Sequence, residues 1–289
     1  MRKEIILAVD GLELSAAVFE AKETKALVQM IHGAKEHKER YYDFIKYLNE
    51  NGFTVIISDN RGHGKSINEK YPLGYMDSLE LMIDDQVRIT RFIKELYPNK
   101  ELYLFGHSFG SILARCYLQE HDDEIKKLVL SGTANYVPIV NLGIIIGKII
   151  TAFSGKYSYN KFLDNLAINS KDDSWLSVSQ SNIEKYREDP LCGHAYSNSS
   201  VLTLLISDAN LHSYSKFKCK NPELKILSVS GAGDPVTGGE RGLNDTINSL
   251  RKIGYKNVIK VVYPQMKHEI LNEDNNDIVY KDIVEFLLM

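Results

Sequence analysis

The amino-acid sequence predicts an α/β fold: a mostly parallel central sheet of about eight strands, flanked by helices and interrupted by an inserted cap. Three observations carry that expectation. From Lys25 to Ser131, short apolar runs bounded by glycine and polar residues alternate with amphipathic stretches of helical period. The run Leu102-Tyr103-Leu104-Phe105 stops at Gly106-His107-Ser108-Phe109-Gly110. Phe109, Ile112, Leu113, Cys116 and Tyr117 then fall on one helical face, so strand, sharp turn and helix follow one another directly. Between Ala134 and Cys219 the alternation lapses, and it resumes only at Leu224. Residues 1–133 and 220–289 therefore read as one core, and 134–219 as a cap over one edge of the sheet.

The elements are expected in this order. Residues 3–9 and 12–19 read as an antiparallel pair joined through Asp10-Gly11, and Lys25 to Ile31 as a buried strand entering His32-Gly33-Ala34. A helix through Tyr41, Phe44, Ile45 and Leu48 ends at Asn51-Gly52. Phe53 to Ser58 is the next strand, and the loop Asp59 to Ser66 lacks the spacing of a phosphate-binding loop, so it reads as structural. A helix from Leu79 to Leu96 leads to the strand before Ser108; Lys127–Ser131, Leu224–Gly231 and Val258–Tyr263 complete the strands. A terminal helix bears Ile278, Val279, Ile283, Phe286 and Leu287 on one face.

Composition excludes several classes of function. With 289 residues, 44% hydrophobic and 25% charged, the chain can bury a large core as one domain. A formal net charge of −3, without a basic run, argues against nucleic acid as a partner. Cys116, Cys192 and Cys219 form no CxxC pair and have no histidine at ligand spacing, so they read as reduced thiols, with no metal expected. The apolar run Ile5 to Val9 is too short for a secretory h-region and ends in a turn, which leads us to expect a cytoplasmic protein.

A serine on a strand-to-helix elbow can be a nucleophile, because the turn lifts its hydroxyl above the sheet while the flanking glycines admit neighbouring backbone. The Phe109 amide at the helix start and the Ala34 amide after His32-Gly33 would then face a developing oxyanion. A small-residue turn with an idle serine is the alternative. The serine needs an imidazole to take its proton and a carboxylate to orient that imidazole. Asp234 lies just past the strand ending at Gly231, and His268 just past the strand ending at Tyr263. His32 and His63 precede Ser108 and break the order expected of such an elbow, serine, then acid, then histidine; His107 should point away from the hydroxyl; His194 and His212 lie in the cap. Asp208, also in the cap, and Asp245, in a predicted helix, are weaker acids.

Within the cap, Val137 to Phe153 is strongly apolar, but Asn141 and Lys148 interrupt it and it falls short of the ~20 residues that span a bilayer. It could line an acyl-sized groove, with Ile139, Leu142 and Ile145 as candidate contacts, or rest on a membrane surface; a plain buried helix fits as well.

Taken together the motifs resemble the monoacylglycerol lipase and lysophospholipase branch of the α/β-hydrolases, over nearly the whole chain. His32-Gly33-Ala34-Lys35-Glu36-His37 with Arg40-Tyr41 is similar to that family's HGxGEHxxRY loop, and Asp59-Asn60-Arg61-Gly62-His63-Gly64-Lys65-Ser66 to its DxRGHGxS loop. Gly106 to Gly110, Ser131-Gly132, Asp189-Pro190-Leu191-Cys192, Gly233-Asp234-Pro235-Val236 and Lys267-His268-Glu269 resemble its remaining motifs. The resemblance implies Ser108, Asp234 and His268 as a triad and the Ala34 and Phe109 amides as oxyanion donors. It further implies a small lipid or ester substrate and no cofactor, with Cys192 near the pocket. Lys35 stands where the family usually has glycine and could place a cation at the entrance; Phe109 and Ser111 replace the common Met and Gly. An aminopeptidase or thioesterase on the same frame, or a ligand-binding protein with an inert triad, are the alternatives.

Overall fold

The chain enters the sheet through a hairpin in which β1 (Arg2–Leu7) pairs antiparallel with β2 (Glu13–Phe19), and Gly11 at φ +83° makes the turn. The computed structural model describes residues 1–167 and 172–289. After the hairpin come β3 (Ala26–Ile31), β4 (Phe53–Ser58), β5 (Leu102–His107), β6 (Lys127–Ser131), β7 (Lys225–Gly231) and β8 (Asn257–Tyr263). The eight strands stand in the order β1-β2-β4-β3-β5-β6-β7-β8. β2 pairs antiparallel with β4, and every later pairing is parallel.

Parallel strands need helical crossovers that cover both faces of a sheet, which is why β3, β4, β5 and β6 are buried at every position. Alternate side chains serve opposite layers. Val28, Met30, Val55, Ile57 and Phe105 pack under α1 (Tyr42–Glu50) and the terminal helix, whereas Leu27, Ile31, Ile56 and Leu104 pack under α2 (Leu79–Leu96) and α3 (Phe109–His121). Ser78 caps α2 by accepting the Leu81 amide at 3.3 Å.

Between β6 and β7 the described chain adds no strand to the sheet. It forms α4 (Val140–Ser154), α5 (Lys161–Ala167), α6 (Gln180–Glu188) and α7 (Asn198–Asn210) before α8 (Gly239–Ile253) and α9 (Asp277–Leu288) complete the core. No described helix is long and apolar enough to cross a membrane. α4 buries only Val140 and Gly147; Ile149 and Phe153 lie in solvent, Phe153 at 90% exposure.

Two glycines set how closely α3 approaches the sheet. A Cβ on Gly106 would stand 2.4 Å from the Gly110 carbonyl oxygen, and one on Gly110 would stand 2.2 Å from the Ile31 carbonyl oxygen. Neither neighbour is a flexible side chain. Gly110→Ala is therefore expected to cost about 2–3 kcal/mol, in the upper range of core overpacking, read as a lower urea midpoint; an unchanged midpoint would show that α3 can back away from β3.

Candidate active site

The turn between β5 and α3 holds Ser108 at φ +52°, ψ −120°, a region that costs a residue with a side chain about 1–3 kcal/mol. The strain is held by neighbours. The Ser108 amide donates to the Ser131 carbonyl at 2.9 Å, and the Ser111 hydroxyl donates to the Ser108 carbonyl at 2.6 Å. Ser108 is part-exposed while the residues on either side are buried. A Cβ on Gly33 would meet the Ser108 Cβ at 3.1 Å, so the His32-Gly33-Ala34 loop lies directly against the serine. Phe109 opens α3, where amides have no acceptor within the helix.

Asp234 follows β7 and His268 follows β8, and the two loops bring His268 Nδ1 to 2.9 Å from Asp234 Oδ2, both side chains buried. A carboxylate accepts, so Nδ1 carries the proton and Nε2 keeps its lone pair. Asp234 Oδ1 accepts the Val236 amide at 2.8 Å, which fixes the carboxylate plane. Burial alone would lower the His268 pKa; the facing Asp234 carboxylate outweighs it and raises the pKa above its ordinary 6.5. His107 packs 4.8 Å from the same ring, and burial beside it pushes His107 down to about 3. Gly132 makes room, since a Cβ there would come within 3.1 Å of His268 Nδ1. Next to this pair, Arg40 reaches both oxygens of Glu269 at 2.7 Å, and Glu36 accepts the Gly33 amide and the Tyr41 hydroxyl at 2.6 Å each. The loops after β3 and β8 are thus tied together beneath the site.

Ser108 and His268 open on one cavity of about 740 Å³. Ala34 and Phe109 line it near the serine, and Val137, Val140, Ile146, Leu204 and Leu205 form an apolar wall from the insertion. Of the candidate pocket residues, Lys35, Ile139 and Leu142 line this cavity, the last two at its exposed mouth. Ile145 and Cys192 do not line it. Leu142, Gly143 and Ile146 share the inward face of α4, which turns Ile145 to solvent at 56% exposure, and Cys192 is buried against Leu176 and Tyr186 instead.

The serine aminopeptidase, S33 family matches residues 22–275. The chain belongs to this α/β-hydrolase family. It is 24% identical over 267 residues to a monoacylglycerol lipase of Mycolicibacterium smegmatis, covering 91% of this chain and 88% of the relative. To the monoglyceride lipase of Rattus norvegicus it is 26% identical over 174 residues, 59% of this chain, and it spans only about half that relative's length, 54%. Two solved structures share the fold: a thermostable carboxyl esterase from Bacillus coagulans in complex with glycerol (TM-score 0.89, 24% identity, 99% of this chain and 97% of that one), and the monoacylglycerol lipase of Paleococcus ferrophilus (TM-score 0.77, 23% identity, 96% and 99%).

In this α/β hydrolase most of the competing residues are bonded elsewhere. His32 gives Nδ1–H to the Gly33 carbonyl and accepts the Asn60 amide at Nε2, both at 2.8 Å. His63 gives Nδ1–H to the Arg61 carbonyl at 3.0 Å, so its Nε2 accepts from the Tyr196 hydroxyl at 2.6 Å. His194 packs on His63; His212 pairs with Asp245 at 2.9 Å; Asp208 accepts the Val137 amide at 3.0 Å. His107, expected to point away, shares the cavity wall with Ser108. Sequence distance conceals three further contacts. Trp175 packs 4.9 Å from His268, and Asp164 pairs with Lys35. His37, Asp189 and Cys192 bring ligand-type atoms within 4.8 Å of one another. His37 donates Nε2–H to Asp189 at 2.8 Å and accepts the Glu39 amide at Nδ1, so both ring nitrogens are used in tying the insertion to the loop after β3. Trp175 had one signal, as the lone tryptophan in a polar stretch.

The two neighbouring imidazoles should separate in an NMR pH titration. His268 is expected to titrate above pH 6.5 and to fall below its wild-type value in Asp234→Asn, while His107 stays neutral down to about pH 3. Titration of His268 below 6.5 in the wild type would mean that the aspartate does not outweigh burial.

Proposed function

We propose that this hydrolase cleaves carboxylic esters of lipid type, monoacylglycerols or lysophospholipid-like molecules, through Ser108, His268 and Asp234. One observation carries the proposal: the elbow serine and His268, whose ring is paired with the buried Asp234, open on a single cavity whose far wall is apolar. His268 Nε2 takes the Ser108 proton as the hydroxyl attacks the ester carbonyl; the Ala34 and Phe109 amides hold the oxyanion; and the imidazolium, stabilised by Asp234, protonates the leaving alcohol. Water then releases the acyl group by the same steps. No metal or organic cofactor enters. Each methylene buried against Val140, Ile146 and Leu204 contributes ~0.8 kcal/mol, which favours a medium or long acyl chain over a charged peptide.

Residues 134–219 act as the cap in this proposal, and α4 brings the cavity to a lipid surface. Its outer face presents Ile145, Ile149 and Phe153, joined by Tyr157 and Phe162, all more than half exposed. Lys148, Lys156 and Lys161 are the charged residues between 137 and 163, with no acidic residue among them. A basic, apolar face of this kind suits the boundary between anionic headgroups and acyl chains.

The family's description favours a second reading, an aminopeptidase, which would need a carboxylate to hold a substrate ammonium group. Of the cavity carboxylates, Glu269 and Glu36 face Arg40, Asp173 pairs with Arg187, Asp208 accepts the Val137 amide and Asp172 accepts the Ser174 amide. Ester hydrolysis is therefore preferred.

A fluorophosphonate probe is expected to label the wild type and not Ser108→Ala, with turnover of a 1-monoacylglycerol lost by about 10⁴-fold or more. Labelling without ester turnover, accompanied by release of an aminoacyl fluorophore, would move the assignment to the peptidase. In a flotation assay the protein is expected to rise with vesicles containing anionic lipid, and Ile149→Ser with Phe153→Ser to leave it in the dense fraction; equal flotation of both would remove α4 from the lipid contact.

A further inference from the structure

Lys35 stands between the Ala34 amide and the insertion, and every one of its polar groups is spent on the insertion. Its amide donates to the Tyr196 hydroxyl at 2.8 Å, and its carbonyl accepts the Gly193 amide at 2.9 Å and the Tyr186 hydroxyl at 3.3 Å. Its ammonium donates to both carboxylate oxygens of Asp164 in α5, at 3.0 and 3.2 Å, and lies 5.2 Å from the centre of the Tyr196 ring. The pair is largely withdrawn from water, with side chains 13% and 16% exposed. Lys35 also lines the cavity.

The backbone makes this arrangement unusual. Lys35 sits at φ +58°, the left-handed region that glycine enters freely and a lysine does not. A side chain persists there only where its surroundings over-determine it. On the near side of Ala34, the Gly33 amide is clamped to Glu36 at 2.6 Å. On the far side, the Lys35 ammonium is clamped to Asp164 of α5. The Ala34 peptide is therefore held between an anchor in the core loop and an anchor in the insertion.

We propose that Lys35 is a positioning residue: its ion pair with Asp164 couples the seating of α5 to the orientation of the Ala34 amide, so that the oxyanion site is fully formed only when this part of the insertion is docked. The proposal rests on the ester-hydrolase function above. A glycine would enter this backbone region without strain but would carry no side chain to reach the insertion; the lysine ties the loop to a contact 129 residues away.

The test is the steady-state hydrolysis of a short-chain p-nitrophenyl ester, which uses little of the apolar wall, together with the rate of fluorophosphonate labelling. Lys35→Met and Asp164→Asn are each expected to lower kcat by roughly 10- to 100-fold, less than the loss of a whole oxyanion donor, with KM within about twofold. The double variant should be no slower than the slower single, because both remove one interaction. Lys35→Arg should recover most of kcat by keeping the charged contact. Lys35→Gly separates the coupling from mere folding: it relieves the backbone, so its melting temperature should hold, yet its kcat should fall as in Lys35→Met. A Lys35→Gly enzyme as fast as wild type, losses that add in the double variant, or lower melting temperatures with unchanged kcat would each overturn the coupling. If the wild type neither labels nor turns over ester, the ester-hydrolase function fails and the coupling with it. Wild-type labelling matched in rate by the variants overturns the coupling alone.

Discussion

A single residue, Ser108, separates the end of β5 from the start of α3, and the rest of the site is arranged around that junction. A helix and a strand can meet so abruptly only if the backbone between them takes a conformation that side chains resist and if nothing projects where the two elements touch. Ser108 supplies the first condition at φ +52°, and Gly106 and Gly110 supply the second. The strain is balanced by contacts drawn from several strands: Ser131 of β6 accepts the Ser108 amide, and the carbonyls at the end of β3 lie against Gly110. Parallel strands all deliver their C-terminal loops to one edge. The loops after β3, β5, β7 and β8 consequently meet above a single point.

Loops so placed still have to be held to one another, and here charge takes over from packing. Arg40, its side chain 9% exposed, lies between the buried Glu36 of the loop after β3 and the buried Glu269 of the loop after β8. Removing Arg40 would leave two carboxylates in the interior without a cation between them, which is far costlier than the net gain from forming the pair. The same logic keeps the neighbouring histidines in different states: His268 faces a carboxylate that raises its pKa, and His107, equally buried but without such a partner, is held neutral.

What the sequence makes legible follows from the range of the interactions. Phe53–Ser58 and Lys127–Ser131 can be read to the residue because strands buried on both faces are apolar at nearly every position and end at glycine or polar loops. Ser108, Asp234 and His268 can be singled out because each follows a strand end, where side chains of a parallel sheet converge. The inner and outer faces of α4 are harder. The stretch from Ile144 to Ile146 is apolar all round, so its sequence does not say that Ile146 lines the cavity while Ile145 faces solvent. Contacts between the insertion and the core leave no local trace at all. Asp164 and Lys35 are chemically ordinary, and only the folded chain brings them together; Cys192 likewise lies one packing layer away from the cavity that its motif suggests.

The single tryptophan of the chain packs tilted against His268, its ring centre 4.9 Å from that of the imidazole. An indole in that position has an excited state sensitive to the charge of the ring beside it, and an imidazolium quenches it where a neutral imidazole does not. Since no other tryptophan contributes, emission excited beyond the absorption of the 17 tyrosines is expected to follow the charge of that one imidazole.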